Sequence, residues 1–287
     1  MNKISLIALD IGGTLLSDNN TISLENLDAI KYAKSRGIKI ALITAREYSS
    51  TKYISSQIGC DYGVFSNGSH LLDISSLTTL KCSFLKTAAV LEIFEYCKTN
   101  NLYIHLNQEF CEVSDQMLFF NLKHHLLNEG YPESLKSNCY TIENLYDYIL
   151  KNNITKIVIA SNEHLEEHIK KLENILSKYQ LFITEYNKDL YEDILERTIN
   201  YIEIGSEDDD KAIGLLRLSK LLNIPQNEIL VFGDGDNDIE MIQTFENSVC
   251  MQNGKSKVKK LAKYVTKKDN NNSGVAEGIY HFLGGNN

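Results

Sequence analysis

Three short apolar runs, each closed by a polar residue, constrain this chain most. Ile4–Leu9 ends at Asp10, Ile38–Ile43 ends at Thr44, and Ile229–Phe232 ends, after Gly233, at Asp234. Runs this short and this nearly continuous in apolar residues suit strands buried on both faces, the condition of a parallel sheet covered by helices. The sequence between them supplies the helices. Ser23 is placed to cap a helix to Arg36, with Leu24, Leu27, Ile30 and Ala33 as its buried stripe and Gly37 at its left-handed end. Lys211–Leu222 carries Ala212, Leu215, Leu218 and Leu222 at helical spacing, and Ile239–Phe245 opens another helix. Tyr62–Phe65 is a further strand, followed by the turn signal Ser66-Asn67-Gly68. His70–Asp73 and Thr78–Cys82 read as a hairpin, and Val249–Met251 and Tyr264–Thr266 as short strands. In an open sheet of this kind ligands bind beyond the carboxyl ends of the strands. Asp10, Thr44 and Asp234 therefore converge on one edge.

The stretch from about Phe84 to Asn187 has a different rhythm. Helices are predicted over Thr87–Lys98, Asp115–Glu129 and Glu163–Tyr179, the last with Leu165, Ile169, Leu172 and Leu176 on one face. Strands are predicted at Leu102–Leu106, Glu109–Ser114, Ile154–Ala160 and Leu181–Tyr186. Alternation resumes with a strand at Tyr201–Ile204. The predicted class is α/β: a Rossmann-like parallel-sheet core from residues 1–83 and 188–287, with residues 84–187 as an inserted α+β domain.

Composition bounds the function classes. With 43% hydrophobic and 23% charged residues in 287, the chain is globular rather than disordered. No window approaches the roughly 20 apolar residues of a membrane span. The first residues run straight into a strand without a signal core, which predicts a cytoplasmic protein. A net charge of −9 opposes nonspecific binding to nucleic acid or anionic membranes, so neither is an expected partner. A monomer or weak homodimer is expected. The six cysteines, Cys60, Cys82, Cys97, Cys111, Cys139 and Cys250, show no paired metal spacing and read as reduced, mostly buried thiols. His164-Leu165-Glu166-Glu167-His168 matches a zinc-peptidase pattern but lacks a third ligand, and reads as a polar helix face. His124-His125 reads as surface. Asp234, Asp236 and Asp238 alternate as in a calcium loop. The glycine and glutamate such a loop needs are replaced by Ile239 and Phe245.

The segments Asp10-Ile11-Gly12-Gly13-Thr14-Leu15-Leu16, Ile43-Thr44-Ala45-Arg46, Lys211 and Phe232-Gly233-Asp234-Gly235-Asp236-Asn237-Asp238 together resemble the four motifs of the haloacid dehalogenase superfamily. The position and size of the insert resemble its Cof-type members, in which such an insert is the cap. Cys250–Gly254, Ala262–Thr266 and Ser273–Ala276 are similar to the closing segments of that subfamily.

The resemblance implies a phosphatase of small phosphate monoesters, such as sugar phosphates, with a small phosphorylated metabolite as partner. It makes Asp10 the nucleophile, attacking phosphorus to form an aspartyl-phosphate. It gives Mg²⁺ to Asp10, the Gly12 carbonyl, Asp234 and Asp238, the last supporting the metal's waters. It gives phosphate binding to Ile11, Thr44, the Ala45 amide, Lys211 and Asn237, with Lys211 also balancing charge on the nucleophile. One departure stands out: the family phosphatases place a second aspartate two residues after the nucleophile, and here that position is Gly12. Glycine keeps a carbonyl for the metal but has no proton to give. General acid–base help is worth roughly 10²–10⁴ in rate, so turnover is expected to be impaired. Asp209, Asp210 and Asp236 are conceivable substitutes. A relative that binds Mg²⁺ and a phosphorylated ligand with little turnover is the alternative expectation.

Overall fold

The strand-forming runs assemble into two sheets in a computed structural model that describes residues 3–115, 139–192 and 198–285. The first sheet contains β1 (Leu6–Leu9), β2 (Lys39–Ile43), β3 (Tyr62–Phe65), β4 (His70–Asp73), β5 (Thr78–Cys82), β12 (Ile229–Gly233), β13 (Asn247–Cys250) and β14 (Tyr264–Val265). Its order is β14-β13-β12-β1-β2-β3-β4-β5. All pairings from β14 to β3 are parallel, and β4 returns antiparallel to β3. The apolar runs are buried on both faces as expected. Leu6, Ala8, Ala41, Ile43 and Val64 pack with Leu215, Leu218, Met241 and Ile242 of two helices, α6 (Lys211–Leu222) and α7 (Ile239–Thr244). Ile7, Leu9, Ile40 and Leu42 alternate to the opposite face and are equally buried.

Helix α1 (Leu24–Ser35) starts where its cap predicts, with Ser23 Oγ accepting from the Asn26 amide at 3.2 Å. Gly37 takes a φ of 79° just beyond its end. The expected stripe needs correction, because Leu24 is 76% exposed and the buried face is Asn26, Ala29, Ile30 and Ala33. Asn26 is buried because its Oδ1 accepts the Ala276 amide at 2.9 Å, joining α1 to α9 (Gly274–Leu283). A polar side chain whose oxygen is engaged from a distant segment leaves no trace in hydrophobic spacing. Helix α2 (Lys52–Ile58) was not anticipated, and α8 (Ser256–Lys259) is a single turn.

The second sheet has the order β10-β11-β9-β6-β7-β8, formed by β6 (Tyr103–Asn107), β7 (Glu112–Asp115), β8 (Cys139–Ile142), β9 (Lys156–Ser161), β10 (Leu181–Glu192) and β11 (Thr198–Ser206). One face packs Ile104, Leu106, Val113, Ile157, Ile159, Ile202 and Ile204 with residues of α3 (Thr87–Thr99), α4 (Leu145–Lys151) and α5 (Glu166–Tyr179). Its other face is polar yet buried, and carries His105, Asn107, Glu112, Ser114, Lys156 and Glu203. Lys156 pairs with Glu203 at 2.8 Å. Burial, aided by the Lys156 charge, pushes the His105 imidazole down to about 3, so it is neutral.

Backbone contacts divide the chain into a first unit (residues to Ala45, Lys52–Lys81 and from Asp210 onward) and a second unit (Arg46–Thr51 and Cys82–Asp209). The run Tyr201–Ile204, expected in the core, lies in the second sheet. There β11 pairs antiparallel with both β10 and β9, so the chain returns to the first unit at Asp210 rather than near residue 188. The predicted helix after Asp115 and the pair His124-His125 lie outside the described residues. The zinc-like pattern is broken: α5 begins at Glu166, which leaves His164 outside it, and His168 Nδ1 lies 2.8 Å from the Tyr96 hydroxyl. Among the described residues no helix is long and apolar enough to cross a membrane. Cys60, Cys82, Cys97, Cys111 and Cys250 are free thiols.

Candidate active site

The parallel pairing of β12, β1 and β2 brings Asp234, Asp10 and Thr44 to one carboxyl edge. Beyond β1 the chain makes an irregular turn over Ile11–Leu15. Ile11 is fully buried, while Gly12 is exposed with ordinary extended backbone (φ −75°, ψ 129°). A Cβ built on Gly12 meets nothing within 4 Å among the described residues. Gly13 is different: its φ is +69°, and a Cβ there would lie 2.4 Å from Asp234 Oδ2. The turn is pinned from outside. Thr14 Oγ1 donates to Asp234 Oδ1 at 2.8 Å, and Asn253 Nδ2 donates to the Gly13 carbonyl at 2.7 Å. Asn253 is held in turn by the Asn270 amide (3.1 Å), and Asn270 Nδ2 reaches the Leu16 carbonyl (3.0 Å). The polar loop Asp269–Ser273 thus braces the turn after β1.

Lys211 is the first residue of α6, whose cap is Asp210, with Oδ1 accepting the Ile213 amide at 2.6 Å. The side chain is 2% exposed. Its Nζ donates to Asp10 Oδ1 at 2.7 Å and to Asp238 Oδ1 at 2.6 Å. Pairing with the neighbouring acidic run, the other course open to a lysine here, is not what the structure shows. Asp238 has both oxygens engaged, since Oδ2 accepts the amides of Asp234 and Gly235 at 2.9 Å each. This clasp folds the loop after β12 back under Lys211. Asn237 is half-buried in that loop, with its Oδ1 folded back over Gly235. Thr44 is buried, its amide donates to the Val64 carbonyl at 2.9 Å, and Ala45 beside it is half-buried.

Asp10, Asp234 and Asp238 each offer an oxygen within 4.8 Å of the others. Burial pushes the Asp10 carboxyl up to about 7, with Lys211 opposing and Asp238 and Asp234 adding. Burial likewise raises Asp234 to about 6, helped by the charge on Asp238 and opposed by the Thr14 hydrogen bond. Burial alone would pull the Lys211 ammonium down, but Asp10 and Asp238 outweigh it and hold Lys211 above the usual lysine range. When all are ionised, three carboxylates against one ammonium leave two uncompensated negative charges. A hard divalent cation with oxygen ligands fits that donor set in type and charge.

The substitutes for a missing acid are engaged elsewhere. Asp236 is exposed and paired with Lys255 at 2.6 Å, Asp210 caps α6, and Asp209 lies in the second unit and accepts from Ser83 Oγ at 3.2 Å. Thr14, Asn253 and Asn270 were not singled out from sequence. Thr14 lay in plain view two residues past Gly12, but a buried threonine in an apolar stretch reads as packing.

Residues 7–279 match the family of haloacid dehalogenase-like hydrolases. The 5-amino-6-(5-phospho-D-ribitylamino)uracil phosphatase YitU of Bacillus subtilis is 28% identical over 288 residues, covering 98% of this chain and 98% of that protein. Its counterpart YcsE from the same organism is 25% identical over 281 residues, covering 98% and 96%. The fold matches a haloacid dehalogenase-like hydrolase from Bacteroides thetaiotaomicron with a TM-score of 0.79 at 22% identity, over 98% of this chain and 100% of that one. It also matches a sugar phosphatase of subclass IIB with a TM-score of 0.75 at 18% identity, over 97% and 99%.

Proposed function

The chain belongs to the haloacid dehalogenase-like hydrolase family, and from that premise we propose that it is a Mg²⁺-dependent phosphatase of small phosphate monoesters such as sugar phosphates. The observation that carries the proposal is the buried Asp10–Lys211–Asp238 array with Asp234 beside it. Such an array has little use in a merely structural edge, because burying this much charge is costly unless it is put to work. The named substrate of the two Bacillus relatives carries its phosphate on a ribityl chain, which supports a small polyol ester as the substrate class. By its place in the chain, the second unit is the cap of this family.

Asp10 is the nucleophile. One of its oxygens bonds to phosphorus as the P–O bond to the alcohol breaks, leaving an aspartyl-phosphate that water then hydrolyses. Thr44 and the amides of Ala45 and Ile11 hold phosphoryl oxygens in line. Lys211, fixed by Asp238, keeps Asp10 oriented and offsets the charge that accumulates on the phosphoryl group. Asn237 supports this arrangement from the loop after β12. Asp10, Asp234 and the Gly12 carbonyl would hold Mg²⁺, with Asp238 behind them; the metal supplies charge neutralisation at the nucleophile and phosphate.

The departing alcohol needs a proton, and Gly12 offers none. This favours a second reading, in which the protein binds Mg²⁺ and a phosphorylated ligand but turns over slowly. A phosphate-release screen over a phosphometabolite panel, with and without Mg²⁺ and with Asp10→Asn as control, separates the two. Mg²⁺-dependent release that vanishes in Asp10→Asn is the expected result. Release that survives Asp10→Asn would remove the nucleophile assignment.

A further inference from the structure

The turn after β3 is built at a conformational cost that its packing does not explain. Ser66, Asn67 and Gly68 take φ values of 49°, 54° and 98° in succession. Gly68 has a packing reason, since a Cβ there would fall 2.0 Å from the Asp210 carbonyl oxygen. Asparagine tolerates the left-handed region; serine has no such allowance. Glycine would relax the backbone at position 66, yet a serine is there.

The serine hydroxyl is the second anomaly. Ser66 is 4% exposed, and its Oγ is fully buried with no hydrogen-bond partner among the described residues. The Ser69 amide and hydroxyl both donate to the Ser66 carbonyl, so the carbonyl of Ser66 is satisfied while its hydroxyl is not. A buried hydroxyl left alone is unfavourable, and a strained residue carrying one is a mark of function.

The turn sits beside two residues of the proposed site. The Asn67 amide donates to the Thr44 carbonyl at 3.1 Å. Gly68 packs on the first turn of α6, where a Cβ on Gly214 would lie 2.6 Å from Gly68 Cα. Ser66 is therefore held at the carboxyl edge of β3, next to Thr44, by a turn wedged against the helix that begins with Lys211. We infer that Ser66 is a further phosphate-binding residue, its hydroxyl donating to a phosphoryl oxygen of the bound ester. The inference rests on the phosphatase reading of the same edge. It accounts for both anomalies: the ligand satisfies the hydroxyl, and the left-handed backbone sets the hydroxyl's position.

Inorganic phosphate in the presence of Mg²⁺ is the probe, with affinity read by calorimetry and stability by thermal melting. Loss of a hydrogen bond to a charged oxygen should weaken phosphate roughly tenfold or more in Ser66→Ala. Its melting temperature should not fall, because the deleted hydroxyl has no partner among the described residues of the free protein. Ser66→Gly removes the hydroxyl and also suits the backbone, so it should melt higher while binding phosphate as weakly as Ser66→Ala. Should Ser66→Ala fail to fold, Ser66→Gly alone carries the test. Wild-type phosphate affinity in these variants would overturn the role of Ser66 and leave the phosphatase reading standing. A wild-type protein that binds no phosphate with Mg²⁺ present would overturn that reading, and this inference with it.

Discussion

At the scale of single residues, Gly12 and Gly13 are neighbours with opposite tolerances. Gly12 has extended backbone and open space around its missing Cβ. The backbone and the space at its Cβ accept an aspartate there, which would supply the proton donor for the leaving alcohol and the base for water. Gly12→Asp should raise turnover of an alkyl phosphate by roughly 10²–10⁴, and Asp10→Asn in the same background should abolish the gain. An aryl ester, whose leaving oxygen needs less protonation, should gain less. Unchanged steady-state rates on one alkyl ester would mean that another group already serves as the acid. Gly13 allows no such change. A side chain there meets the Asp234 carboxylate at 2.4 Å and sits at φ +69°. Gly13→Ala should displace Asp234 and weaken Mg²⁺ roughly 10–100-fold, the range seen when the supports of a metal ligand are disturbed. Calorimetric titration with Mg²⁺ checks this, and wild-type affinity would argue that Asp234 is not a ligand.

At the scale of elements, the segment Arg46–Thr51 leaves β2 to join the second unit and carries a buried carboxyl there. Glu47 accepts the Ser50 amide at 2.8 Å and the Ser49 amide, and burial with the nearby Glu112 charge pushes it up to about 7. A carboxyl raised on folding favours the protonated folded state. Its stabilisation is complete below about pH 4.5, the unfolded value, and is lost as pH rises towards 7. The loss is of order 2–3 kcal/mol. Melting temperatures across pH 5–8 should therefore fall less steeply in Glu47→Gln than in wild type; parallel curves would remove Glu47 as the cause. Elements of this chain were legible to the degree that their physics is local. β1, β2 and β12 could be read directly because being buried on both faces demands unbroken apolar runs, and the polar residues closing them fall on one edge by parallel pairing alone. The placement of β11 was not legible, since a strand run does not say which sheet it joins. Leu24 misled because Asn26 is held by Ala276, 250 residues away. Lys211 could be named only through family resemblance, its two carboxylate partners lying 201 and 27 residues distant. Short α2 offers a single apolar i,i+4 pair, Ile54 and Ile58, around Ser55, Ser56 and Gln57, too little in seven residues to establish a period.

At the scale of the whole molecule, the two units carry separate apolar cores. One gathers around Leu6, Val231 and Leu218, the other around Phe94, Ile157 and Leu172. Separate cores allow separate unfolding, while the proposed ligands engage the first unit alone. Calorimetry should resolve two transitions, and Mg²⁺ with phosphate at about 100 times the dissociation constant should stabilise one by about 2.7 kcal/mol. Hydrogen exchange should then slow in peptides from β1, β12 and α6 and leave β6, β9 and α5 unchanged. Equal protection in both sets would show that the units unfold as one. The strand order also bears on how the protein is made. β1 is flanked by β2, which follows within thirty-five residues of it, and by β12, which is synthesised some two hundred residues later. Throughout that interval one edge of a fully apolar strand has no mate, while all of the second sheet emerges and can fold. Newborn chains are thus most exposed to mispairing with one another during elongation from β2 to β12, and slow translation of that stretch would lengthen the hazard.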